Sequence, residues 1–153
     1  MSLAAQPFDA FRAAERREVR TGAVDARDLP RVNDRLADED DTPHRDATAE
    51  VAWSIVGGKS VDGRAALKLA LSGSLPLICQ RCLQPMNWPL DHDSEVLLAR
   101  DEGELAALDE ASEQEVLLVV GPVDPHSLVE DELVLTIPFV PRHEGDCLPP
   151  AEE

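Results

Sequence analysis

Between Thr48 and Ala99 apolar residues recur at every second position, and this period limits the fold more than any other feature of the chain. Val51, Trp53 and Ile55 alternate with smaller or polar residues and end at Gly57-Gly58. Ala65, Leu67, Leu69 and Leu71 resume the alternation, followed by Leu75, Leu77 and Cys79. Val96 and Leu98 are the clearest inward pair of a third run. A period of two is what a strand with one buried face requires, because successive side chains point to opposite sides. The pattern predicts three antiparallel strands over 48–99. It puts the turn "CQRC" at the tip of the second hairpin and a bulge at Gly73.

The flanks change period. Residues 8–20 place Phe8, Phe11 and Val19 near one side of a helix, with Arg12, Arg16, Arg17 and Arg20 elsewhere on it. Residues 28–37 predict a second short helix, capped by Asp28 and burying Leu29, Val32 and Leu36. The acidic stretch 38–48 is expected to be an exposed loop. Residues 100–114 are acidic and weakly helical, a mobile excursion between apolar blocks. Glu115 to Val120 is a strand candidate closed by Gly121 and Pro122. Asp124 as N-cap, Pro125 in the first turn and Pro138 as a stop predict a helix over 125–136, with a strand from Leu133 as the competing assignment. The prolines after it leave the tail irregular.

With 153 residues and 43% hydrophobic content, one domain with a core of Val, Leu, Ile and Ala is expected. The fold class is α+β: a small, mostly antiparallel sheet curled toward a barrel, with short helices at the N-terminus and near the C-terminus. Its parts are a helical region (8–37), the strands with their cysteine tip (48–99), an acidic insert (100–114), and a strand, helix and Pro-rich tail (115–147).

Charge bears on partners. The net charge is −17, of which residues 1–36 contribute +1 and the remainder −18. Nucleic-acid binding draws on cations that neutralise phosphates, so an acidic body favours a basic protein partner over naked RNA. The plainer reading is that the charge serves solubility. No apolar run approaches the roughly 20 residues needed to span a bilayer, and no secretory leader is expected. Three cysteines, an odd number, fit reduced thiols and a cytoplasmic setting.

"CQRC" supports three readings. Thiolates two residues apart suit zinc, but a tetrahedral structural site needs four ligands. Cys79, Cys82, His143 and Cys147 would complete a Cys3His set, tying the tail to the hairpin. A redox pair normally sets its first thiol at a helix N-terminus, whereas strands flank this one. The third reading is a turn that contains two reduced thiols. His44, His92 and His126 lie in polar surroundings and are expected to be solvated. No nucleophile elbow, phosphate-cradling glycine loop or metalloprotease motif is present, and the chain is not expected to be an enzyme.

"LICQRCLQPM" (77–86) and, about fifty residues on, "LVEDELVLTIPFVPRHEGDC" (128–147) together resemble the bacterial YceD family, the large ribosomal RNA subunit accumulation proteins. The matching positions are Cys79, Gln80, Arg81 and Cys82, then Val129, Glu130, Asp131, Glu132, Leu133, Pro138, Val140, Pro141, His143 and Cys147. The resemblance implies a role in synthesis, processing or stability of 23S rRNA and so in large-subunit biogenesis. In many bacteria the family's gene neighbours that of a small basic large-subunit ribosomal protein, which implies such a partner. It supplies no catalytic residues. Some relatives continue past the position of Cys147 with a basic or proline-containing tail, and a contact made there is expected to be missing here.

Charge and resemblance converge on an acidic factor that holds a basic large-subunit ribosomal protein, with Glu130, Asp131 and Glu132 as the docking carboxylates. The alternative partner is pre-ribosomal 23S rRNA, contacted through Arg12, Arg16, Arg17 and Arg20 of the Arg-rich segment that runs to Arg35. A metal or thiol enzyme is a third reading, in which Cys79 carries turnover. The plainer reading of both charged segments is a helix face in water. No small-molecule substrate is expected.

Overall fold

A computed structural model describes residues 6–37 and 49–142. The elements in order are α1 (Ala10–Arg16), β1 (Val19–Asp25), a single 3-10 turn (Ala26–Asp28), α2 (Pro30–Asn33), β2 (Glu50–Lys59), β3 (Ala65–Ile78), β4 (Pro85–Ala99), α3 (Glu102–Ala111), β5 (Glu115–Leu118) and α4 (Pro125–Thr136).

The alternating blocks form the centre of the sheet. β2, β3 and β4 pair antiparallel as two long hairpins, with Ile55 opposite Leu69 and Leu71 opposite His92. β1 adds antiparallel to β2, and β5 adds parallel to β4. A parallel neighbour needs a crossover, and α3 supplies it. The sheet order β1-β2-β3-β4-β5 leaves two open edges, so the expected barrel is corrected to an open sheet. Gly73 pairs with Val51 on one side and Leu90 on the other in an unbroken register, so it is not a bulge.

One sheet face carries the main core. Trp53, Ile55, Leu67, Leu69, Leu71, Leu75 and Leu77 meet Ala10, Ala13 and Ala14 of α1 and Leu128, Val129 and Leu133 of α4. Burying such a Leu or Ile is worth about 1.5–3 kcal/mol each. The contact between α1 and β2 is backbone on backbone: a Cβ on Gly57 would stand 2.1 Å from the Ala13 carbonyl oxygen. Only glycine admits that approach. On the opposite face, α3 covers one end through Leu108 against Ala66, Leu97 and Ala99.

The N-terminal third differs most from expectation. The helix predicted over 8–20 stops at Arg16, because Arg17 turns left-handed (φ 54°) and its N–H bonds back to the Ala13 carbonyl. The chain then runs extended as β1, whose edge pairing with β2 outweighs a weak helical stripe. Val19 accordingly points to solvent instead of joining Phe8 and Phe11. Of the helix predicted over 28–37 a single turn forms. Asp28 does not cap it, since it closes the preceding 3-10 turn, yet Leu29, Val32 and Leu36 are buried as the pattern requires. The acidic loop of 38–48 lies outside the described residues. Asp101 caps α3, so most of the acidic excursion is helix. Over 125–136 helix prevails over the competing strand, with Asp124 accepting from the His126 N–H at 3.1 Å. Among the described residues no helix is long and apolar enough to cross a membrane.

Candidate functional site

α4 turns Leu128, Val129, Glu132 and Leu133 into the core, so the run 130–132 is divided between faces. Glu132 is 6% exposed, and its Oε1 lies 2.8 Å from Nε2 of His92 on β4. His92, expected in solvent, is therefore the partner of a buried carboxylate. Glu130 accepts from Arg31 Nε and Nη2, each at 3.1 Å, and Arg31 Nη2 also reaches Asp131. Those two carboxylates raise the Arg31 pKa, Asp131 contributing most. All three expected docking carboxylates are thus engaged inside the molecule. Only Asp131 keeps a side chain about half exposed (55%).

A second carboxylate faces Glu132 from β5. Glu115 has its pKa raised, chiefly by burial and then by the Glu132 charge and a hydrogen bond to Glu132; Asp131 adds to this and His92 opposes it.

The cysteine turn joins β3 to β4. The Cys79 N–H donates to the Gln84 carbonyl at 3.0 Å, and the Leu83 N–H donates to the Cys79 carbonyl at 2.8 Å, with Leu83 left-handed (φ 61°). Both cysteines are buried. The Gln80 N–H donates to the Pro141 carbonyl at 2.8 Å, which brings the chain just ahead of the tail against the knuckle. His143 and Cys147 lie outside the described residues. Among the described residues no three His, Cys, Asp or Glu side chains gather to hold a metal ion. Two donors on a tight turn fit half of a tetrahedral site.

Of the N-terminal arginines, Arg12 and Arg16 project from α1 into solvent, and Arg17 is exposed at its C-cap. Arg20 differs: its guanidinium lies 4.7 Å over the Phe8 ring and 3.6 Å from Glu18. Further along the same segment, Arg31 binds α4, and Arg35 donates to the carbonyls of Val134 at 2.9 Å and of Ile137 and Pro138 at 3.0 Å. The Arg-rich segment is therefore largely structural beyond Arg17.

The surface that sequence reasoning missed is the sheet face away from the main core. Three rows cross it in register: Ala23, Ala52, Ser72 and Asp91; Thr21, Ser54, Ala70 and Asp93; Val19, Val56, Lys68 and Glu95. Small side chains thus floor a shallow groove, and Asp91, Asp93 and Glu95 form a column along one side of it. A cavity of about 540 Å³ opens there beside Ser54, Ala70 and Asp93. The signal was present as "LDHDSE", where acidic residues alternate with inward ones, but a one-letter pattern does not show which face is left uncovered.

A family model described as Large ribosomal RNA subunit accumulation protein YceD matches residues 67–153. The match takes in most of β3, the cysteine knuckle and every later element. No curated protein and no solved structure matches the chain.

Proposed function

The chain belongs to the YceD family of large ribosomal RNA subunit accumulation proteins, and from that membership we propose that it supports 23S rRNA accumulation and large-subunit assembly as a non-catalytic cytoplasmic factor that binds a basic large-subunit ribosomal protein. The observation that carries this reading is the acidic column Asp91, Asp93 and Glu95 beside an uncovered floor of small side chains. A basic strand or helix laid along the groove places its cations against the column, while the small residues let its backbone come close. Potentials of opposite sign speed encounter and discourage wrong partners. The net charge of −17 extends the attraction beyond the groove itself. The intramolecular pairing of Glu130, Asp131 and Glu132 supports choosing the sheet column over α4 as the docking surface.

A structural zinc at the cysteine knuckle belongs to the same proposal. Cys79 and Cys82 would supply two thiolates, with His143 and Cys147 as the other donors. When bound, such an ion adds folding energy and no chemistry. The Gln80–Pro141 hydrogen bond supports it by holding the approach to those donors at the turn.

The test is capture on the tagged full chain, with ribonuclease treatment before washing, followed by direct binding of each captured large-subunit protein in purified form. A small basic protein that stays after ribonuclease and binds directly supports the reading. Three exposed ion pairs at roughly 0.5 kcal/mol each predict about a tenfold loss in D91N/D93N/E95Q. Loss of every ribosomal protein with ribonuclease, or unchanged binding by that variant, would sink it.

A further inference from the structure

The same sheet face changes sign at its far end. Lys68 and Glu95 stand opposite one another in the β3–β4 register, and beyond them, away from Asp91, the lining turns cationic. An adjoining cavity of about 210 Å³ shares Val56, Lys68 and Glu95 with the groove and is completed by Arg17, Gly57, Gly58, Lys59 and Ala66. The sequence holds two lysines in all, and both line this one cavity. Arg17, Lys59 and Lys68 form no ion pair among the described residues. The single carboxylate in the lining, Glu95, accepts from Gln114 Nε2 at 2.7 Å.

Two departures from local sequence preference meet at this cavity. Arg17 occupies a left-handed helix C-cap, a position that favours glycine or asparagine, and a bulky residue held there costs about 1–2 kcal/mol. Gly58 does the reverse. It sits in β2, where glycine weakens a strand by roughly 0.5–1 kcal/mol, yet a Cβ added to it would meet nothing within 4 Å. No packing inside the protein requires Gly58 to be glycine. A cation stands where glycine is easiest, and bare backbone lies where any side chain fits. Violations of local preference of this kind gather at functional sites, and glycine in a strand often marks close approach by a ligand.

We infer that the cleft formed by Arg17, Gly58, Lys59 and Lys68 binds a phosphodiester of an RNA backbone. The ligand is anionic because Arg17, Lys59 and Lys68, none of them ion-paired among the described residues, all line one concavity, and Gly58 offers it bare backbone to rest on. The overall negative charge does not forbid this: at 0.1 M salt the Debye length is about 10 Å, so nearby charges set the potential in the cleft. Arg12 and Arg16 on the adjacent α1 add to the same sign. Beside the acidic groove, the cleft makes the face bipolar, able to hold a basic protein and touch its RNA at once. The inference does not depend on the protein-binding reading.

The full chain is titrated into a short fluorescein-labelled single-stranded RNA of mixed sequence over a range of salt, followed by anisotropy. Three phosphate contacts predict that log affinity falls with log salt at a slope of about −2, and that K59Q and K68Q each bring the slope about 0.7 closer to zero. Gly58→Glu places a carboxylate in the open cleft, where an added Cβ meets nothing within 4 Å. It is expected to weaken low-salt binding about tenfold while its melting temperature stays at or above the wild-type value, since a strand glycine is removed. D91N/D93N, which leaves the shared Glu95 in place, binds RNA at least as well as wild type, which separates this site from the protein groove. No RNA binding at low salt overturns the inference, as does equal binding by Gly58→Glu and wild type. Saturation by inorganic phosphate alone, without RNA binding, would assign the cleft to a free anion and overturn it too.

Discussion

Glu130 Oε2 accepts the backbone N–H of Arg31 at 3.3 Å, so a carboxylate 99 residues away serves as the N-cap of α2. The helix needs it, because Leu29 stands at the cap position with no side-chain acceptor. The four N–H groups at a helix start must find partners outside the helix. The Arg31 guanidinium then closes on the same carboxylate, so one side chain both caps α2 and clamps it to α4.

Glu130→Ala is therefore expected to lose about 1 kcal/mol, the usual scale of an N-cap. Glu130→Gln keeps an acceptor and is expected to lose less. Arg31 is solvent-exposed, so Arg31→Ala should be milder than Glu130→Ala. Urea titrations of the three variants check the order. Equal losses for Gln and Ala would show that charge, not capping, is what α2 receives.

Arg35 works on the other end of α4. Its three bonds to the carbonyls of Val134, Ile137 and Pro138 satisfy acceptors that the helix leaves unpaired. A planar fork reaches several carbonyls together, which a lysine cannot do. Arg35→Ala is expected to lose about 2 kcal/mol, since hydrogen bonds to charged groups contribute roughly 1.5–3 kcal/mol. Arg35→Lys should recover less than half of that. Thermal melts of both variants decide it, and full recovery by lysine would mean that only the charge matters.

These contacts show why the sheet was legible in the sequence and the site was not. Val51, Trp53, Ile55, Leu67, Leu69 and Leu71 announce their strands because a period of two repeats the geometry of the pleat. Asp124 and Pro125 announce α4 because caps act locally. β1 stayed hidden: an edge strand is stabilised by its neighbour β2, and nothing within Val19–Asp25 declares that neighbour. The roles of Glu130 and Glu132 stayed hidden for the same reason. "VEDE" is three carboxylates in a row until Arg31 and His92 arrive from elsewhere in the chain. Lys59 and Lys68 likewise become one cleft only through the β2–β3 register.

Glu115 faces Glu132, with Asp131 adding repulsion and His92 opposing it. Its pKa is raised in the fold, so the folded state holds more protons than the unfolded chain between the ordinary glutamate value of about 4.3 and the raised one. The stabilisation tied to that proton is complete below the ordinary value and disappears as pH rises through the raised one. Above the raised value the charged Glu115 is a small burden on the fold. Glu115→Gln is expected to raise the melting temperature by about 1 °C at neutral pH, with the effect reduced by solvent screening. The gain should vanish below about pH 4. A melting series against pH checks the sign, and a gain that grows on acidification would refute the arrangement.

The knuckle gives the sharpest choice between metal and redox chemistry. Cys79 and Cys82 sit in a turn between two strands, whereas a redox pair normally sets its first thiol at a helix N-terminus. Structural zinc predicts about one ion per chain when the protein is purified in reducing, zinc-containing buffer. An ion held at about 100 times its Kd adds roughly 2.7 kcal/mol of stability. At this chain length that corresponds to a fall of about 5–10 °C in melting temperature on chelation. Cys79→Ser and Cys147→Ser should each release the ion and melt near the chelated wild type, because they remove donors of one site. His143→Ala should do the same. A redox pair predicts the opposite: chelation changes nothing, and mild oxidation removes the thiols of Cys79 and Cys82 together while Cys147 remains titratable. Metal analysis of the wild type and the three variants, with thiol counts before and after oxidation, separates the two.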